Sequence, residues 1–237
     1  SDENQLLAIL PDFIDRSRCH RTTPPYNVAR ADITCDTSGD PAHPGASKVM
    51  YQLFAHYKDL EEHFNHQAFL HQVPGAAADP NPTCRATASA ASLGTYPENG
   101  VRQVLTSHGH FYCQKNAQGI PYVAWTNVAW LVVAEAAGDA PGDAAEAQLI
   151  ALWRFLGPMG DPPAQATPDA EVNTLYDLYL SRKPESAQAI AYWIDKIRTS
   201  GDIQARHDFV YSCEVRLANT LGVLDPPEKS QLLAQCP

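Results

Sequence analysis

Apolar residues recur along this chain with two different periods, and each change of period marks a change of element. Leu6 to Leu10 form a short apolar run stopped by Pro11, as a proline stops a helix. Ala31 to Cys35 ("ADITC") and Lys48 to His56 ("KVMYQLFAH") alternate instead, and Val49, Tyr51 and Leu53 share one face of a strand. From Asp59 the spacing turns helical. Asp59 is placed to cap a helix with Glu62 three residues on, and Leu60, Phe64 and Phe69 give it an apolar side as far as about Gln72.

The segments 36–47 and 74–83 read as loops, and "SLGTYPENG" (92–100) carries further turn signals. Three strand-like runs follow, 109–114, 120–125 and 129–136, separated by turn residues at 116–119 and at Asn127. Together they predict an antiparallel meander. Residues 144–156 return to the helical period, with Leu149, Leu152, Trp153 and Leu156 on one side.

After the Gly- and Pro-rich stretch 157–169 the remaining pattern is helical. Thr167 precedes Pro168 as an N-cap precedes a first-turn proline, and Val172, Leu175, Tyr176, Tyr179 and Leu180 follow at helical spacing. A second helix is expected from Pro184 to Gly201 with Ile190, Trp193, Ile194 and Ile197 in its stripe. A third is expected from Asp202 to Leu221, with Ile203, Val210, Leu217 and Leu221 inward, and a fourth from Asp225 to Cys236. The pattern predicts an α+β domain over 1–157, an antiparallel sheet packed with helices, then a linker over 158–168 and a small disulfide-tied helical bundle over 169–237.

Charge narrows the partners. Lys and Arg number 17 against 27 Asp and Glu, a net charge of -10 with no basic run, which argues against nucleic acid or an anionic membrane surface. No apolar stretch reaches the roughly 20 residues of a membrane span, so direct insertion by this segment is not expected. The chain reads as a mature form or an excised domain.

The six cysteines, Cys19, Cys35, Cys84, Cys113, Cys213 and Cys236, include no C-x-x-C. Their even number and wide spread favour three disulfides in an oxidising compartment over reduced thiols or a zinc ribbon. Sequential pairing is the simplest arrangement, Cys19–Cys35, Cys84–Cys113 and Cys213–Cys236. The last of these would staple a helical bundle too small to rest on its core alone.

"LLAILP" before Cys19, "ADITC" ending at Cys35, "YQLFAHYKDLEEHF", Cys84, "GHFYCQKNAQGIPYVAWTNVAWLVVAEAAG" and "LIALWRFL" occur in that order over about the first 155 residues. In this the chain resembles a family of extracytoplasmic actinobacterial domains. Some are carried on receptor-type Ser/Thr kinases and others occur in secreted proteins or lipoproteins. The resemblance implies paired cysteines and no catalytic residues, and it names no ligand. The insertion "GDAPGDAAEAQ" and the helical tail depart from that pattern.

His108 and His110 alternate on a predicted strand, so both imidazoles could reach one cation, with His63, His66, His56 or His71 as a third ligand. His-x-His alone is a non-specific motif, and scattered solvent-facing histidines are the simpler reading, so no metal is assigned. Glu61 and Glu62 are read as a solvated first turn, since sequence neighbours on a helix do not face the same way. "RHDF" (206–209) resembles a kinase motif only in its letters and lies within a predicted helix. No phosphate loop, Gly-x-Ser-x-Gly elbow or His-Glu-x-x-His occurs, and no catalytic residue or cofactor is assigned.

Tyr122, Trp125, Trp130 and Trp153 are read as core; exposed, they would form a recognition surface. The expected function is a non-catalytic binding or sensor module of the actinobacterial cell envelope, secreted or envelope-associated, whose partner is a protein or an envelope ligand. The alternatives are an accessory subunit of an envelope complex, and a secreted metal-binding protein or hydrolase.

Overall fold

Strand alternation resolves into one antiparallel sheet in the computed structural model, which describes residues 1–12, 14–22, 28–38, 45–70, 92–95, 110–156, 165–210, 212–220, 230, 232–234 and 236. Its strands are β1 (Cys19–Arg21), β2 (Ala29–Asp36), β3 (Lys48–Phe54), β4 (Ser92–Thr95), β5 (His110–Lys115), β6 (Pro121–Asn127) and β7 (Val132–Ala137). They lie in the order β1-β2-β3-β7-β6-β5-β4, so the expected meander β5-β6-β7 forms one side. The helices are α1 (Asp2–Ile9), α2 (Tyr57–Leu70), α3 (Asp143–Leu156), α4 (Pro168–Leu180), α5 (Ala187–Ser200), α6 (Asp202–Val210) and α7 (Cys213–Thr220). The architecture is α+β, as the pattern predicted.

Register assigns each strand residue to a face. One row crosses the sheet through Cys19, Cys35, Val49, Ala136, Val123 and Cys113. Its apolar members belong to a core shared with Leu6 and Leu10 at α1 and with Leu149, Leu152 and Trp153 of α3. Gly45 lets the chain pass close under α3. It holds a φ of +138°, and a Cβ there would lie 2.8 Å from the Gln148 carbonyl.

The opposite face packs against α2 and the tail. Phe54, Ala124 and Val133 of the sheet and Tyr57, Leu60 and Phe64 of α2 join Val172, Leu175, Tyr176, Tyr179, Phe209 and Val215 in a second apolar cluster. This cluster draws on both sides of the expected 158–168 linker; residues 157–164 lie outside the described ones. The β6–β7 turn is built into it. Tyr179 donates its hydroxyl to the Val128 carbonyl at 3.1 Å, and Leu131, in left-handed backbone at φ 55°, accepts from Phe54 N–H at 2.9 Å.

Several local expectations are corrected. α2 begins at Tyr57, so Asp59 lies inside its first turn and is not the cap. Ser92–Thr95, within the run that carries turn signals, pairs with β5. Ala129 to Leu131 belong to the β6–β7 turn, and β7 starts only at Val132. α5 starts at Ala187 behind the Ser186 cap, not at Pro184. The helix expected over 202–221 is broken between Val210 and Cys213, where Ser212 Oγ accepts from Val215 N–H. Ile203 is exposed and does not point inward. Thr167 does cap α4, accepting from Ala170 N–H with Pro168 next to it.

Candidate functional site

The α2 face of the sheet holds polar groups that simple alternation would send to solvent. Asp32 on β2 and Gln52 on β3 are directly paired, and each is only 1% exposed. Thr22, just past β1, donates its hydroxyl to Asp32 Oδ1 at 2.5 Å, and Gln52 Nε2 donates to Asp32 Oδ2 at 3.2 Å. Glu135 of β7 accepts from the Tyr122 hydroxyl of β6 at 2.6 Å through Oε2. From α2, His63 places Nε2 3.7 Å from Glu135 Oε1 and stacks its ring on Phe54 with centroids 5.2 Å apart.

The electrostatics follow from burial. Loss of solvent is the largest influence on Asp32 and pushes its carboxyl above the ordinary aspartate range. The hydrogen bonds from Thr22 and Gln52 oppose this, Glu135 adds to it, and His63 opposes it. Two acceptor oxygens, Gln52 Oε1 and Glu135 Oε1, are buried without a hydrogen-bond donor. Such a network is rich in acceptors and short of protons.

Of the predicted site residues, His108 and His71 lie outside the described residues, while His110 lies on β5. His63 is buried beside Glu135; among the described residues no three His, Cys, Asp or Glu side chains converge as a metal would need. Glu61, expected in solvent, is 1% exposed, and only Glu62 of the pair faces out. The "RHDF" run has a structural role. Arg206 pairs with buried Glu171, Asp208 meets Lys196 at 3.2 Å, and Phe209 packs in the second core. Trp125 and Trp153 are buried, while Tyr122 and Trp130 are half-buried, so these four do not form an open aromatic platform. Among the described residues the exposed large aromatic is Tyr192 on α5, at 55%.

Two of the pairings expected from sequence order are present. Cys19–Cys35 and Cys213–Cys236 are bridged. Cys113 is disulfide-bonded too, and its expected partner Cys84 lies outside the described residues. Among the described residues no helix is long and apolar enough to cross a membrane.

Sequence reasoning passed over Asp32, Gln52 and Glu135. The available signal was β3, where Met50, Gln52 and Phe54 alternate with Val49, Tyr51 and Leu53. A strand apolar on both faces is covered on both, so a polar residue within it is buried. The chain matches no protein-family model, and no characterised protein or solved structure is significantly similar to it.

Proposed function

We propose that the chain is a non-catalytic binding or sensing module that works outside the cytoplasm, in a cell envelope of the actinobacterial type. The observation that carries this reading is the oxidised state of every described cysteine. Bridges tie neighbouring strands at Cys19–Cys35 and tail segments at Cys213–Cys236, and reducing compartments disfavour such bonds. The order of motifs over the first 155 residues supports the same placement. Asp32, held by Thr22 and Gln52, and Glu135, held by Tyr122, put polar chemistry on one face of the sheet.

Thiol titration of the denatured, unreduced protein tests this reading. No free thiol is expected. Six free thiols remove its basis.

A second reading, an accessory subunit of an envelope complex, is favoured by the apolar side chains that the tail turns to solvent: Tyr192, Leu233 and Ile203. The size of the protein extracted under native conditions separates the two. A free-standing module runs as a single chain, and a subunit runs with its assembly.

A further inference from the structure

We propose that the Cys213–Cys236 disulfide is a thiol–disulfide exchange site, opened at Cys213 by a dithiol reductant under conditions in which Cys19–Cys35 stays closed. With the functional reading above it shares only the formed bonds, and it adds a chemistry that reading does not contain.

The two bridges sit in unlike surroundings. Cys19–Cys35 joins directly paired residues of β1 and β2. Cys35 is fully buried in the core beneath α1 and α3, and Cys19 is half-buried against it. Cys213–Cys236 joins the start of α7 to the C-terminal segment. Cys236 is buried, but Cys213 is exposed. Exchange requires a thiolate to reach one of the two sulfurs, so access selects the bond and the point of attack. Among the described cysteines Cys213 is the exposed one.

Local structure favours the reduced form at this position. Cys213 is the first residue of α7, directly behind Ser212, whose hydroxyl accepts from Val215 N–H at 3.3 Å as a helix cap does. The first turn of a helix carries the positive end of its dipole, and a thiolate placed there is stabilised. The neighbouring negative charge, Glu214, is paired with Arg182 just past α4. Stabilising one thiolate of a pair shifts the balance from disulfide towards dithiol.

The exchange runs in two steps. A thiolate of the reductant attacks Cys213 Sγ, the bond to Cys236 Sγ breaks, and Cys236 leaves as a thiolate that takes a proton from water. The reductant's second thiolate then attacks its own sulfur in the mixed disulfide and releases the Cys213 thiolate. The reductant is oxidised to a disulfide, and the two electrons reside on the protein's two thiols. The consequence is local, because α7 has anchors of its own. Val215 is fully buried in the second core, and buried Asn219 donates to the Tyr179 carbonyl at 2.7 Å. The C-terminal segment keeps only buried Leu232 and its own turn, in which Cys236 N–H donates to the Leu232 carbonyl at 3.0 Å. Opening the bond therefore frees that segment and leaves α7 in place.

Timed exposure of the full, native chain to dithiothreitol, with N-ethylmaleimide trapping and peptide mass spectrometry, follows each bond. Cys213 and Cys236 are expected to be trapped at least about tenfold faster than Cys19 and Cys35. Equal rates, or earlier trapping of Cys19 and Cys35, overturn the proposal. With glutathione in place of dithiothreitol, the trapped adduct is expected on Cys213, and an adduct on Cys236 instead also overturns it. Hydrogen exchange of the chain reduced at this bond alone supplies the third readout. Protection is expected to fall around Cys236 and to hold across α4 and α7. Loss across α4 and α7 as well makes the bond a structural staple and refutes the exchange site. Free thiols present before any reductant is added count against the reading above, whereas the order in which the bonds open bears on this proposal alone.

Discussion

The two faces of the sheet are built from the same strands and buried to similar depth, but they fill that depth differently. Beneath α1 and α3 the inward residues of β2, β3, β6 and β7 are aliphatic or aromatic, from Ile33 and Val49 to Trp125 and Ala134. Beneath α2 the same strands contribute Asp32, Gln52, Thr126 and Glu135 beside Phe54, Ala124 and Val133. The helices above that face continue the mixture with Glu61, His63, Glu171 and Arg206. Apolar burial responds to volume and shape, whereas polar burial responds to pairing and protonation. A single sheet thus presents one face filled by apolar packing and one filled in part by paired polar groups, and mutations on the two sides are expected to fail for different reasons.

The largest effect is expected on the polar side. Arg206 of α6 donates to Glu171 Oε1 from Nε at 3.1 Å and from Nη2 at 2.7 Å, while Glu171 Oε2 accepts from Gln165 N–H at 2.9 Å. Removing one partner strands the other charge in the protein. Arg206→Ala should reduce stability by about 3–5 kcal/mol in denaturant titrations. Replacing both residues together, Glu171→Met with Arg206→Leu, should recover most of that loss, because no unpaired charge remains. If the double replacement is as damaging as the single one, the contrast between the faces is wrong at this point.

On the apolar side the comparable change is a truncation. Leu149 of α3 is fully buried above the sheet. Leu149→Ala should cost about 2–5 kcal/mol, with no dependence on pH between mildly acid and mildly alkaline buffers. A pH-dependent loss would show that the chemistry attributed to the α2 face reaches through the sheet. Gly45→Ala probes the same side through the backbone. The new Cβ would press on the Gln148 carbonyl, so a loss of about 2 kcal/mol, read from thermal melts, is expected.

The contrast between the faces was only half legible in the sequence. Alternation in β3 and the meander, the helical stripes of α3 and α4, and the Thr167–Pro168 cap are local signals, and they appear where the pattern put them. Signals that compete locally misled. Pro184 and Ser186 both resemble helix starts, and Ser186 is used because its hydroxyl can accept from Ala189 N–H. Gly94 suggested a turn, but pairing of residues 92–95 with β5 overrides it. The polar network was missed because alternation states which residues share a face, not whether that face is covered. Asp32 in "ADITC" reads as the wet side of a strand, and nothing in its own strand shows that its face is buried.

The smallest expected effect tests the apolar face from within. Tyr51 lies on β3 in that core, fully buried, with its ring edge-on to Trp125 at 6.4 Å. Its hydroxyl has no hydrogen-bond partner, and burial alone pushes its pKa far above the usual tyrosine value. A hydroxyl that gave up water without gaining a partner opposes folding. Tyr51→Phe keeps the ring and its packing while removing that group. Stability should rise by about 1 kcal/mol, in the same sense by chemical and thermal unfolding. On the α2 face the corresponding step, Tyr122→Phe, deletes the 2.6 Å donor to Glu135 and should lower stability by a similar amount. The same chemical change is therefore expected to carry opposite signs on the two sides of one sheet. Equal signs would mean that the faces differ in composition but not in how they respond to the loss of a polar group.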